Sequence, residues 1–469
     1  MRAMPSTREL GLLAGIVVAF LLGHFFYDLR SAQPGLGGGS GRHDELAVTS
    51  TVNSAPPEPS DVVPQTKIVS HVPGWTIFER LYVMNGTMLV VTDRPEDVPE
   101  SYLITSRGVP IAHEEDMVRA RKPTDKEIRV VSVAEAKAMF GEREPTCIHG
   151  TTFMISDNPQ FLTHYYHFVA ELLFGLWRTY ASLDKSISAD GATILAAPAR
   201  FSFVFVPSDK WRDYAHMNEW VVRAAFPSTG LEFSEDWADR AAMRHPFVFS
   251  HVVLGDRAAA INGEHYVATQ RTAAEPAALP GSPHWWAPLR ANVAEFAGVF
   301  PADDAAAVKK GVITYISRQG WGRRMLRQAD HETLVAELEK LRDRHGYEVN
   351  IVSMDKLTRE EQMQLASRTT IMMGVHGNGL TALLWMKPSP RATVMEFFYP
   401  EGFAYDYEWT TRALGMTHYG FWGNKHFTHP AMPPVNYPEG FQGNDIPIDG
   451  KLVAELCHKR LTLAEEADD

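Results

Sequence analysis

Between residues 312 and 414, apolar runs and amphipathic stretches alternate with a regularity that leaves few folds open. Residues 312–317 (VITYIS) read as a buried strand, followed by a helix capped by Asp330 with Leu334, Leu338 and Leu341 on one face. Residues 347–352 form the next strand, and Thr358 with Glu361 makes a capping box for a second helix. A strand over 371–375, a helix over 380–386, a strand over 393–398 and a helix over 407–414 complete the series. Four such alternations predict an α/β unit with a parallel, doubly wound sheet and right-handed crossovers. Ligands of such sheets bind at the carboxyl ends of the strands, so the residues that follow each strand are where chemistry is sought.

The preceding segment is more mixed. Residues 76–92 read as a hairpin turning at Asn85-Gly86, residues 161–183 as a long aromatic-rich helix, and 192–197, 201–206 and 247–254 as buried strands, with a helix near 218–225. A chain of 469 residues is too long for one small core, so two lobes are expected. The first covers 66–282 and the second 283–450, with a helix and tail over 451–469.

Residues 10–27 (LGLLAGIVVAFLLGHFFY) are apolar enough to be a single transmembrane helix of roughly 27 Å. The exit at Asp28-Leu29-Arg30 has no small-x-small cleavage pattern, which favours an uncleaved signal anchor. Residues 1–9 are then a cytosolic tail, and 28–65, rich in Gly, Ser, Thr and Pro, a flexible stem. This layout predicts a single-pass type II protein of the Golgi or endoplasmic reticulum membrane with its folded part lumenal. The sequon Asn85-Gly86-Thr87 is compatible with it. A net charge of −12 repels phosphate backbones, which excludes nucleic acid as a partner and requires any anionic ligand to be held by a local basic cluster.

Three strand ends carry such residues. After the first strand come Arg318, Arg323, Arg324 and Arg327 with glycines between, a cradle for a diphosphate or else a solvated loop. After the third comes His376-Gly377-Asn378-Gly379, opening into a helix whose first amides favour an anion. After the fourth comes Glu396, positioned to accept ribose hydroxyls or simply to end a strand. In the first region His167 and Glu171 stand four apart on one helical face, a general-base pair or a structural one. The chain has no P-loop, no H-E-x-x-H, no G-x-S-x-G and no Asp-x-Asp triplet to hold a divalent metal.

In that order, His167-Phe-x-x-Glu171, Arg318 with Arg323-Arg324, Gly374-x-His376-Gly377-x-Gly379-Leu380 and Val394-Met-Glu396 resemble the motifs of glycosyltransferase family 61, the DUF563-type enzymes, and its fungal branch in particular. The resemblance covers roughly residues 150–420. It implies a GT-B-like fold of two Rossmann-like lobes and an inverting enzyme with no cofactor and no divalent metal. Such an enzyme moves xylose, N-acetylglucosamine or arabinose from a UDP-sugar donor to a glycan or glycoprotein acceptor. Carried over to these positions, Glu171 or His167 is the catalytic base. Arg318, Arg323, Arg324 and the His376–Gly377–Asn378–Gly379 turn hold the diphosphate, with Glu396 near the ribose. The chain departs from the family pattern at Phe168, Gln328 and Asn378, and at Thr163 or His164. The alternative is a non-catalytic carbohydrate-binding protein that keeps the fold. Cys147 and Cys457 are either a disulfide tying the C-terminal helix back to the first lobe or two buried free thiols.

Overall fold

The computed structural model describes residues 63–112, 114–299 and 311–464. The expected cytosolic tail, membrane span and nearly all of the stem lie outside them. Among the described residues no helix is long and apolar enough to cross a membrane. The described residues form one compact unit with two sheets.

The second sheet follows the alternation in the sequence. Its strands are β9 (Val312–Ile316), β10 (Glu348–Val352), β11 (Ile371–Val375), β12 (Thr393–Phe397), β13 (Thr417–Trp422) and β14 (Lys425–Phe427), in the order β10-β9-β11-β12-β13-β14. All pairings are parallel except the last. The chain steps from β9 outward to β10, then crosses to the other side of β9 for β11. The direction of winding therefore reverses between β9 and β11, and the loops leaving these strands diverge to open a crevice.

The first sheet consists of β1 (Lys67–Val72), β2 (Trp75–Met84), β3 (Thr87–Val91), β4 (Ile128–Val131), β5 (Thr146–Ile155), β6 (Arg200–Phe203), β7 (Gly230–Glu232) and β8 (Phe247–Gly255). Its order is β4-β3-β2-β8-β5-β6-β7, with β1 on β2. Strands β8, β5, β6 and β7 are parallel, whereas β1, β2 and β3 form an antiparallel arm joined to β8. The predicted hairpin turn is present, with φ of 55° at Asn85 and 81° at Gly86, the left-handed pair that a tight two-residue hairpin requires.

A helix between the sheets carries the join. It starts as a π-helical turn, Tyr166–Leu173, and continues as α-helix Phe174–Ala181, every residue of which is buried. A helix apolar on all sides must be covered on all sides, and Phe174 shows how. Its ring packs on Trp285, Trp286 and Trp409 at centroid distances of 4.6, 5.1 and 5.6 Å. Trp385 Nε1 donates to Tyr165 Oη at 2.9 Å, and Trp286 Nε1 to the Leu384 carbonyl at 2.8 Å. One continuous apolar cluster thus runs from Trp75 in the first sheet to Val394 in the second.

Four local expectations are corrected. Residues 192–197 form no strand, and Ile194 is 81 % exposed, because the run lacks a neighbouring strand to pair with. Asp330 is not the cap of its helix, which spans Gln328–His345; its carboxylate accepts from the Ile448 amide at 3.1 Å. The C-terminal helix Gly450–Leu461 packs on Gln328–His345 within its own lobe rather than on the first lobe. Cys147 is accordingly an exposed free thiol and Cys457 a buried one, its sulfur 3.8 Å from the Met395 sulfur.

Candidate active site

Both sheets present carboxyl ends of parallel strands to the space around the start of the 166–181 helix. From the first sheet, β5 and β8 end in register and release Asp157 and Arg257 side by side. The Asp157 carboxylate accepts from the Arg257 amide at 2.8 Å and from its Nε at 2.5 Å. The other arm of Arg257 reaches the helix, where Nη1 meets Glu171 Oε2 and the His167 carbonyl, both at 3.1 Å. Arg271 approaches Glu171 Oε1 at 3.5 Å and Asp406 Oδ1 at 2.8 Å. Glu171 is therefore buried between two guanidinium groups, and its Oε2 also meets His167 Nδ1 at 2.7 Å. Burial by itself would raise the carboxyl, but His167, then Arg271 and Arg257, outweigh it and hold Glu171 down at about 2.

This electrostatics divides the pair. A carboxylate held so low stays ionised and only accepts hydrogen bonds, so His167 Nδ1 carries the hydrogen between them. Glu171 thereby fixes the orientation of the His167 ring. The π-helical turn carries both residues, and such bulges commonly occur at functional sites.

From the second sheet, the loop after β9 carries the arginines. Arg318 lies over Trp321 at 5.3 Å with its Nε buried and without a partner among the described residues. Arg324, at φ 53°, donates from Nε to Gln442 Oε1 at 2.6 Å and from Nη1 to the His376 carbonyl at 3.3 Å. Burial lowers both guanidinium groups, and repulsion from Arg318 adds to it for Arg324, which falls to about 10. Arg323 is exposed. Arg327 turns away to Asp445 at 2.9 Å and leaves the cluster. Among the described residues no carboxylate forms a salt bridge with Arg318, Arg323 or Arg324. Three cations held close together without a counter-ion, two of them partly desolvated, make a site that an anion stabilises.

The loop after β11 closes the other side of the crevice. A Cβ on Gly377 would come within 2.8 Å of Arg318 Nη1, so the glycine is what lets the guanidinium lie against the backbone. Asn378 Oδ1 accepts the Tyr166 amide at 3.2 Å, tying the turn to the first lobe's helix, and the short 3₁₀ helix Asn378–Trp385 follows. Gly379 packs on Ile316 at the end of β9. Tyr407 bridges the two halves, its ring 5.2 Å from Tyr166 and 5.6 Å from His376.

Glu396 sits differently from the sequence expectation. It lies within β12, fully buried, with Oε1 2.5 Å from His376 Nδ1 and Oε2 2.9 Å from His418 Nε2. Both oxygens are taken, and a group without solvent access offers nothing to ribose hydroxyls. The arginines, the His376–Gly379 turn and the His167–Glu171 pair do converge on one crevice. Sequence reasoning missed Asp157, Arg257, Arg271, Asp406 and His418. The first two had a signal, a charged residue directly after an apolar strand, in Ser156-Asp157 and in Asp256-Arg257.

No curated protein matches the sequence. The family model of glycosyltransferase 61 matches residues 165–395, a span that opens at the His167 helix and takes in Arg257, Arg271, the arginine loop and the His376–Gly379 turn. With these motifs gathered on one crevice of a parallel-sheet α/β fold, the chain belongs to glycosyltransferase family 61 and is a glycosyltransferase.

Proposed function

We propose that the protein is an inverting glycosyltransferase of GT-B arrangement. It transfers a sugar of the xylose, N-acetylglucosamine or arabinose class from a UDP-sugar to a hydroxyl of a glycan or glycoprotein. The diphosphate lies in the crevice between β9 and β11, against Arg318, Arg323, Arg324 and the His376–Gly379 turn. The acceptor hydroxyl approaches from the first lobe and gives its proton to His167 Nε2 as its oxygen bonds to the anomeric carbon. The bond from that carbon to the diphosphate oxygen breaks on the opposite face, which inverts the configuration. Glu171 remains a carboxylate throughout.

The observation that carries this reading is the set of unpaired arginines at the reversal point of the second sheet. Fixed cations aimed at the leaving group stabilise the charge that develops there and lower the barrier to transfer more than proton removal does. Arginine here supplies the charge that a divalent metal provides elsewhere. The uridine part of the donor and the identity of the sugar rest on the family resemblance. The apolar segment 10–27 and the composition of the stem support a position in the membrane of the Golgi or endoplasmic reticulum with this crevice lumenal.

Calorimetric titration of UDP into the full-length protein and its Arg318→Ala variant tests the site. Loss of one charge-assisted contact weakens binding by roughly 1.5–3 kcal/mol, about ten- to a hundredfold in Kd. Equal affinity for the two proteins removes the arginines from the donor site.

A further inference from the structure

Behind His376 lie two groups that phosphate binding alone does not require. Glu396 and His418 are fully enclosed, whereas the His376 side chain keeps 11 % exposure. Glu396 spans the two imidazoles, Oε1 to His376 Nδ1 at 2.5 Å and Oε2 to His418 Nε2 at 2.9 Å. His418 Nδ1 is buried with no partner among the described residues. A lone pair tolerates that position better than an N–H does, so the His418 hydrogen belongs on Nε2, donated to Glu396. One further hydrogen remains, between Glu396 and His376.

The surroundings decide where it rests. Arg318 and Arg324 from the β9 loop and Arg271 from the first lobe face His376, and Asp406 opposes them. Asp406 and Glu408 face Glu396, with Arg324 opposing. Tyr407 and Phe441 pack against the His376 ring. Burial first, then Arg324, holds His376 at about 3, and burial first, then the two carboxylates, holds Glu396 well above its ordinary range. The hydrogen therefore sits on Glu396 Oε1 and is offered to His376 Nδ1. This puts the His376 hydrogen on Nε2, the nitrogen on the far side of the ring from Glu396.

We propose that Glu396 and His418 form a proton relay behind His376 that acts as the sugar–diphosphate bond breaks. As negative charge grows on the departing diphosphate, the proton on Glu396 Oε1 passes to His376 Nδ1. His376 becomes an imidazolium that donates from Nε2, and Glu396 becomes a carboxylate retained by the His418 Nε2–H. One proton moves from oxygen to nitrogen, the three side chains carry no net charge before or after, and nothing is exchanged with solvent. Positive charge thus appears next to the diphosphate when it is needed, without a permanent fourth cation beside the arginines. Glu396 and His418 are positioning residues, acting only through His376. This inference rests on the diphosphate reading of the crevice.

Glu396→Gln separates the relay from a structural role. The Gln amide can donate to His376 Nδ1 and accept from His418 Nε2–H, so every hydrogen bond and the His376 tautomer survive while the transferable proton is lost. The expected result is UDP affinity and donor KM within about threefold of the parent, with kcat reduced at least about tenfold. An unchanged kcat in the variant overturns the relay. A second measurement needs no substitution: UDP is titrated into the wild-type full-length protein at pH 8 in Tris and in HEPES, whose ionisation heats differ. Equal binding enthalpies are the expected result, since an internal transfer exchanges no proton with the buffer, whereas uptake of about one proton shows that His376 charges from solvent and overturns the relay even where E396Q fails to fold. Absence of any UDP binding by the wild-type protein is a separate result, which removes the donor site itself.

Discussion

At the scale of single residues the account depends on which group holds which proton. His167→Ala and Glu171→Gln should both leave UDP affinity intact and lower turnover by at least about tenfold, with the His167 change the more severe. Steady-state kinetics check this; a nearly active His167→Ala beside an inactive Glu171→Gln would make the carboxylate the base. Glu396 supplies a stability prediction of defined sign. Its carboxyl is raised in the folded protein, so the stability it contributes is complete below about pH 4.5 and is lost as pH rises toward the folded value, because the unfolded chain ionises first. The melting temperature of Glu396→Gln, minus that of the parent, should climb steadily from pH 4.5 to 8. A flat difference contradicts the buried, protonated carboxyl. His376 and His418, both lowered to about 3, act in the other window: the stability they provide is full above pH 6.5 and falls with pH below it. Much of this was legible in the sequence, since an i,i+4 pair and charged residues after strands are local patterns. Arg271 and His418 were not. Each gains its meaning from a partner on another element, and neither follows the carboxyl end of a strand.

At the scale of elements the four strands of the second sheet from β9 to β12 were readable as short apolar runs alternating with amphipathic stretches, whereas β13 and β14 were not. Its Thr358–Glu361 capping box forms as read. The first sheet was less legible. Residues 192–197 are as apolar as a strand, yet the chain gives them no partner, and apolar composition alone does not create a ladder. The aromatic helix was recognised as a helix, but nothing in its residue pattern marked the π-helical opening. That helix also sets a packing prediction. Phe174→Ala removes a ring held by Trp285, Trp286 and Trp409 and should cost about 3–5 kcal/mol in urea unfolding. Gly175→Ala should also destabilise, since a Cβ there would run into the Trp75 ring. A parent-like urea midpoint for both would mean the helix is not the join between the sheets.

At the scale of the whole molecule one crevice is assembled from two halves, with Asn378, Tyr407 and Arg271 bonding or packing across it. That long-range assembly lies beyond local sequence patterns, which supplied the motifs and their order but not the Arg257–Glu171–Arg271–Asp406 chain between them. The expected anchor over residues 10–27 predicts that protease added to intact microsomes spares the folded part. Asn85, exposed at its hairpin turn, should then carry glycan; digestion of the domain without detergent contradicts a lumenal position. The central claim is that the arginine crevice drives departure of a nucleoside diphosphate. Its most direct measurement is UDP release by the full-length protein across a panel of UDP-sugars, alongside Arg318→Ala and Glu171→Gln. The account predicts release from at least one donor, Arg318→Ala losing UDP affinity and Glu171→Gln losing turnover while still binding UDP. Release that proceeds unchanged in Arg318→Ala, or no binding of any UDP-sugar by the parent, would contradict it.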